Sequence, residues 1–96
     1  ACELYVMNVL NCLMTEDFFQ DKACSVFRYK KQLRVRDGVW INCTYYEGIE
    51  GFTPNTLYVS IKVKGLSKPQ QFKFEDQSGY NYMVLKSLRG TLLKHI

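Results

Sequence analysis

The stretch at residues 57–64, LYVSIKVK, alternates apolar and polar side chains along its whole length. Its apolar members are Leu57, Val59, Ile61 and Val63, and its polar members are Tyr58, Ser60, Lys62 and Lys64. Successive side chains of an extended strand point to opposite faces. The stretch therefore predicts a β-strand with one face in a core and the other face in solvent.

The sequence around this strand predicts further strands. Valine, phenylalanine, tyrosine and tryptophan, which favour strands, recur on both sides of it. Asp37-Gly38 supplies the glycine that a tight hairpin requires, and Gly48, Gly51 and Pro54 mark a loop. The predicted strands cover residues 25–30, 33–36, 39–46, 57–64 and 70–75.

The C-terminal stretch, residues 80–96, has a helical period instead. Its apolar residues recur every three or four positions, which places them on one side of a helix. They are Leu85, Leu88, Leu92 and Ile96, with Met83, Val84 and Leu93 widening the stripe. The predicted fold class is therefore mainly β: a small antiparallel barrel or sandwich closed by one C-terminal α-helix.

The composition fits a single domain over residues 1–96, strand-rich from 24 to 75 and helical from about 80 to 96. The chain is 47% hydrophobic and 15% aromatic, which is enough for one core and unlike a disordered protein. No run approaches the roughly 20 apolar residues that cross a bilayer, so no membrane insertion is expected.

Charge is unevenly distributed along the chain, whose formal net charge is +4. Residues 1–24 hold four acidic residues and one basic residue, a net charge of −3. Residues 25–73 hold nine basic and three acidic residues, a net charge of +6. A basic middle region indicates an anionic partner, either nucleic acid or an acidic membrane surface, or else a solubilising surface.

The sequence shows no recognisable catalytic or metal site. His95 is the only histidine and stands next to the last residue, so neither a Ser-His-Asp nor a Cys-His arrangement is expected. The absence of a Cys-x-x-Cys pair argues against zinc. The chain is therefore predicted not to be an enzyme and to use no cofactor.

The cysteines leave the cellular compartment open. In a secreted protein the four cysteines would form two disulfides, in any of three pairings. In a cytosolic protein they would remain reduced thiols. Asn42-Cys43-Thr44 is a glycosylation sequon, which has meaning only in the secreted case. The four cysteines are Cys2, Cys12, Cys24 and Cys43.

The polar side of the predicted sheet carries the best candidate site. Basic side chains interleaved with an aromatic platform are typical of proteins that bind single-stranded nucleic acid, although an ordinary solvated face is the alternative. Trp40 is expected in the core, because tryptophan usually buries most of its ring. The candidate phosphate contacts are Arg34, Arg36, Lys62, Lys64 and Lys73, with Tyr58 for stacking and Arg28, Lys30, Lys31 and Lys68 nearby.

The chain resembles the non-structural protein nine family of coronavirus and other nidovirus replicases, most closely in the C-terminal helix. Residues 83–88, MVLKSL, and Thr91 match that family's helix pattern, M-V-L-x-S-L followed by a threonine. Residues 56–58, TLY, resemble its T-I-Y strand, and Trp40 falls where the family has a tryptophan. Residues 3–4, EL, resemble the end of its opening N-N-E-L.

This resemblance implies a small barrel followed by a helix, weak binding of single-stranded RNA, and a homodimer formed through the helix. Tyr82 and Lys86 replace the glycines of the family's G-x-x-x-G helix motif, which lets two helices approach closely. Ala1 would correspond to the residue whose amino group a replicase nucleotidyltransferase modifies, although Ala1 and Cys2 replace two asparagines. The implied oligomer interface includes Leu85, Ser87, Leu88, Leu92 and Leu93.

These features lead to one leading hypothesis, one main alternative, and a third hypothesis, a structural homo-oligomer assembled through the C-terminal helix. The leading hypothesis is a single-stranded RNA-binding accessory subunit of a viral replication-transcription complex, located in the host cell cytoplasm, with RNA and replicase proteins as partners. The alternative is a secreted protein-binding module, stapled by two disulfides and glycosylated at Asn42.

Overall fold

The computed structural model describes residues 32–95 of the chain. The predicted strand at residues 25–30 lies outside this range. Several residues named above also lie outside it: Ala1, Cys2, Cys12, Cys24, Arg28, Lys30, Lys31 and Ile96.

Four strands form one antiparallel sheet, and a helix follows them. The elements are β1 (Gln32–Arg36), β2 (Val39–Tyr46), β3 (Thr56–Val63), β4 (Gln70–Glu75) and α1 (Asn81–His95). The strands lie in the order β1-β2-β3-β4. The mainly β fold class with a C-terminal helix is confirmed. Within residues 32–95 the sheet is open, because β1 pairs there only with β2 and β4 only with β3.

One face of the sheet and one side of α1 form the core. Alternate residues of the strands point to this face, as the alternation in the sequence predicts. The buried residues are Val35, Val39, Ile41, Cys43, Leu57, Val59, Ile61, Phe72 and Phe74 of the sheet, and Leu85, Leu88 and Leu92 of α1. Each large apolar side chain buried in this way contributes roughly 1.5–3 kcal/mol to folding.

The helix is attached to the end of β4 by one side chain. Asn81 Nδ2 donates to the carbonyl oxygen of Glu75 at 2.6 Å, and Asn81 Oδ1 accepts from the Glu75 N–H at 3.1 Å. Lys94 and His95 lie in the last turn, where the helix dipole favours a cation such as Lys94. The strand end therefore fixes where α1 begins and lets it pack over β4 and β3.

The apolar side of α1 is narrower than the sequence predicts. Val84 packs at the edge of the core, but Met83 and Leu93 are 65% and 69% exposed. At 3.6 residues per turn, Leu93 lies about 110° and Met83 about 170° around the helix from the centre of the buried strip. A single sheet covers only one side of a helix, so these two residues stay in solvent.

Backbone hydrogen bonds join neighbouring connections at each end of the sheet. At one end, Lys64 N–H donates to the carbonyl oxygen of Gly38 at 2.8 Å, and Gly38 makes the β1–β2 turn with a φ of 80°. At the other end, Asp76 N–H donates to the carbonyl oxygen of Asn55 at 2.9 Å. The β1–β2 and β3–β4 connections therefore lie at one end of the sheet. The β2–β3 loop and the start of the connection from β4 to α1 lie at the other end.

Candidate nucleic-acid interface

The face of the sheet opposite the core, called the open face, runs along all four strands and is partly to fully exposed. The antiparallel register arranges its side chains in rows that cross the strands. None of its described members is buried. They are Gln32, Arg34, Trp40, Asn42, Thr44, Tyr46, Thr56, Tyr58, Ser60, Lys62, Gln71, Lys73 and Glu75.

One row places a tryptophan between two cations. Arg34 of β1 lies opposite Trp40 of β2, which lies opposite Lys62 of β3. Trp40 is half-buried, and both cations are exposed. The prediction that Trp40 belongs to the core is wrong, because Val39 and Ile41 on either side of it take the inward positions of β2. The row offers a ring for stacking with a positive charge on each side.

A β-bulge removes Arg36 from the register of the open face. The pairing of β1 with β2 shifts between Arg34 and Arg36, so Arg36 lies opposite Val39, a residue of the core. A bulge inserts one extra residue into a strand and re-aims the side chains after it. Arg36 is exposed at the outer strand of the described sheet rather than in line with Arg34. Lys64, which directly follows β3, is also exposed.

Two tyrosines and one ion pair occupy the other half of the open face. The Tyr46 and Tyr58 ring centroids lie 5.7 Å apart with the rings nearly perpendicular, at 87°. Lys73 Nζ lies 5.9 Å from the Tyr58 ring centroid and 3.0 Å from Glu75 Oε1. The hydrogen bond to Glu75, with smaller electrostatic contributions from Tyr58 and Glu75, raises the pKa of Lys73. Lys73 therefore already has an anionic partner, which lies closer to it than Asp37 lies to Arg34, at 3.8 Å.

A shallow groove of about 390 Å³ lies beside these tyrosines. It is lined by Thr44, Tyr46, Thr56, Tyr58 and Gln71. Thr44 stands four residues beyond Trp40 along β2, a separation of about 14 Å. The groove and Trp40 are thus two separate places where an aromatic ring meets solvent.

A polar row separates the two aromatic places. Gln32, Asn42, Ser60 and Gln71 lie opposite one another in turn across the four strands. Asn42 Oδ1 is buried and has no hydrogen-bond partner among the described residues. This row carries no charge, so the open face offers amide and hydroxyl groups between its aromatic places.

The two ends of the sheet carry opposite charges. The basic end, at the β1–β2 and β3–β4 connections, holds Arg34, Arg36, Lys62, Lys64 and Lys68, with Asp37 as the one acidic residue there among the described residues. The acidic end holds Glu47, Glu50, Glu75 and Asp76, with Lys73 paired to Glu75. Arg34 lies 3.8 Å from Asp37, but both side chains are well exposed, so solvent weakens this pair. The cations of β1 and β3 that were predicted to contact phosphates therefore lie together at one end.

Most of the predicted oligomer interface does not lie on the surface. Leu85, Leu88 and Leu92 pack into the core with 4%, 1% and 1% of their surface exposed. Ser87 and Leu93 are the exposed members of the set. A second copy would therefore contact these two residues and not the three buried leucines.

Cys43 is a free thiol in the core, 5% exposed. Burial raises the pKa of its thiol to about 12. The thiol is therefore protonated at neutral pH and behaves as a small apolar side chain.

Within residues 32–95, no group of three or more histidine, cysteine or acidic side chains is placed to hold a metal ion. The helix described for this part of the chain is neither long nor apolar enough to cross a membrane.

Comparison with known proteins identifies no relative: no family model matches the chain, and neither a curated protein nor a solved structure is significantly similar to it.

Proposed function

We propose that the open face binds single-stranded RNA. The observation that carries the proposal is the row in which Trp40 lies half-buried between Arg34 and Lys62 on the solvent side of the sheet. Single-strand binders combine cations that hold the phosphates with aromatic rings on which bases stack. This row supplies both kinds of group within one strand spacing on either side of Trp40.

The geometry favours a single strand over a duplex. In a duplex the bases are stacked on each other, whereas a single strand can place its bases on protein rings. Trp40 would take one base and the Tyr46–Tyr58 groove another, about 14 Å along β2. The basic end would hold the phosphates, which carry no sequence information, so little sequence preference is expected.

The narrower part of the proposal is that the protein is an accessory subunit of a viral replication-transcription complex in the host cytoplasm. It is supported by the resemblance of residues 83–88, Thr91 and Trp40 to the non-structural protein nine family. Replicase proteins would then be its protein partners.

The homodimer that the resemblance implies would use the outer side of α1. Ser87 and Leu93 are exposed there. Lys86 Nζ lies 5.0 Å from the Tyr82 ring centroid, so these two side chains cover the positions of the family's glycines. Two helices in contact around Leu93 would therefore lie farther apart than helices in contact through glycines. Leu93→Glu should remove this contact, and light scattering would show the lower mass.

The test of RNA binding measures how the affinity for RNA depends on salt concentration. Each phosphate neutralised on a single strand contributes about −0.7 to the slope of log K against log salt concentration. Replacing Lys62 and Lys64 with alanine should weaken binding and flatten that slope by about 1.4. The measurement is fluorescence anisotropy of a labelled single-stranded RNA between about 50 and 200 mM salt.

The matched control is Lys86→Ala with Lys94→Ala. Both lysines are exposed on α1, which packs against the other face of the sheet. This variant loses the same two charges, so it should retain the steeper slope. Equal slopes for the two double variants would show that net charge, and not the open face, governs binding.

The secreted alternative depends on the thiols. Two disulfides would need Cys43, which is a free thiol in the core. Counting thiols after denaturation without reductant separates the hypotheses: four reactive thiols support the cytoplasmic proposal, and none supports the secreted one.

A further inference from the structure

The β2–β3 loop presents two apolar side chains to solvent at the acidic end. Ile49 is 63% exposed and Phe52 is 85% exposed. Exposed apolar side chains that stand together in a loop mark interaction surfaces, whereas single scattered ones need no explanation. Glu47 and Glu50 stand in the same loop and are exposed.

Hydrogen bonds within the loop hold this shape before any partner binds. The N–H groups of Phe52 and Thr53 both donate to the carbonyl oxygen of Ile49 at 2.9 Å. Ile49 N–H donates to Thr53 Oγ1 at 2.8 Å, and Gly48 N–H donates to Asn55 Oδ1 at 2.8 Å. A loop fixed in advance loses less entropy on binding, so its apolar tip is suited to docking.

The opposite end of the same molecule has complementary chemistry. Leu66, in the β3–β4 connection, is 58% exposed, and the exposed lysines Lys64 and Lys68 stand on either side of it in sequence. β2 spans the sheet over eight residues, so the two ends lie about 24 Å apart. That distance exceeds the Debye length of about 8 Å at physiological salt, and the two ends therefore act as separate charged patches.

We infer that the β2–β3 loop docks on the basic end of a second copy of this chain. Ile49 and Phe52 would meet Leu66, while Glu47 and Glu50 would face Lys64 and Lys68. The contact joins two different surfaces, so it is heterologous and lets copies add head to tail. It is separate from the α1 contact proposed above, and it does not depend on RNA binding.

The test reverses the charges of each end in turn. Glu47→Lys with Glu50→Lys makes the β2–β3 loop basic, like the β3–β4 connection, and Lys64→Glu with Lys68→Glu makes the β3–β4 connection acidic, like the loop. All proteins carry Leu93→Glu to exclude a helix contact, and no RNA is present. Sedimentation velocity at about 50 mM salt measures the mass, because attraction between exposed charges is strongest at low salt.

The unreversed protein should gain mass as its concentration rises, and each reversed variant alone should stay at the monomer mass of 11.3 kDa. An equal mixture of the two reversed variants should regain association, because a basic loop or connection of one variant again meets an acidic one of the other. Phe52→Ser should weaken association, whereas Tyr80→Ser, at a residue that is 76% exposed, should not. Thermal melts confirm that each variant is folded. A monomeric unreversed protein, or a mixture that stays monomeric, would overturn the inference.

Discussion

Cys43 shows how the position of one side chain determines its chemistry. The neighbouring residues of β2, Asn42 and Thr44, lie on the open face, whereas Cys43 faces the core. Burial raises the pKa of the thiol from 9.0 to about 12, because the thiolate is poorly solvated in the core. The folded state therefore holds the proton more tightly than the unfolded state.

The linkage of this proton to folding gives a pH-dependent stability. The contribution of Cys43 is fully present below about pH 9 and is lost as the pH rises toward 12. Urea unfolding at pH 8 and pH 10.5 should show a larger loss of stability for the unmodified protein than for Cys43→Val. The difference should be on the order of 1 kcal/mol per pH unit. Equal losses would contradict the burial of the thiol.

Gly48 is required by a close backbone approach in the β2–β3 loop. A Cβ there would overlap the carbonyl oxygen of Thr53 and the backbone of Pro54. Gly48→Ala should therefore lower the free energy of unfolding by roughly 1–3 kcal/mol, the usual cost of overpacking. Gly79→Ala is the matched control, because a Cβ at Gly79 meets no atom of residues 32–95 within 4 Å. Urea unfolding compares the two, and equal stability would contradict the loop geometry.

Trp40 shows why residue type alone misplaced one member of the candidate site. The usual burial of tryptophan predicted a core position, but the alternation of faces along the strand determines where the side chain points. Trp40 lies on the same face of β2 as Asn42 and Thr44, because these residues are two and four positions away, and the intervening Ile41 and Cys43 are apolar. That alternation was visible in the sequence and indicates the solvent side. Arg36 differs, because no alternation reveals the bulge that separates it from Arg34.

At the scale of elements, the sequence predicted the strands and the helix closely. The predicted boundaries of β1 to β4 and α1 agree with the structure within one residue. The two-residue alternation and the helical period are local signals, so they specify each element without knowledge of its neighbours. The width of the buried strip on α1 depends on what packs against it, and the periodicity alone overestimated it at Met83 and Leu93.

The outer side of α1 leaves room for a stabilising change. Among the described residues, a Cβ at Gly90 would meet nothing within 4 Å, and Gly90 lies inside the helix. Alanine is favoured over glycine in helix interiors by roughly 0.5–1 kcal/mol. Gly90→Ala should therefore raise the free energy of unfolding by about that amount in urea titrations. A loss of stability would mean that the space around Gly90 is occupied.

At the scale of the whole molecule, the fold places basic and acidic residues at opposite ends of the sheet, although the order of residues in the sequence does not show this. The sequence shows a basic middle region, but the meander of four strands brings the connections of alternate strand pairs to opposite ends. Lys62, Lys64 and Lys68 thereby join Arg34 at one end, while Glu47 and Glu50 lie at the other. The basic middle region of the sequence therefore predicted that the open face carries positive charge. It did not predict that the basic residues lie at one end of the strands and the acidic residues at the other.

The position of the single tryptophan makes the central proposal directly measurable. Trp40 is the only tryptophan in the chain, so its emission reports on the open face alone. The decisive measurement is the Trp40 emission during titration with single-stranded RNA at about 50 and 200 mM salt. The account predicts saturable quenching that needs more RNA at the higher salt concentration, and little change with duplex RNA. RNA that binds by anisotropy without changing the Trp40 emission, or that fails to bind at the lower salt concentration, would contradict it.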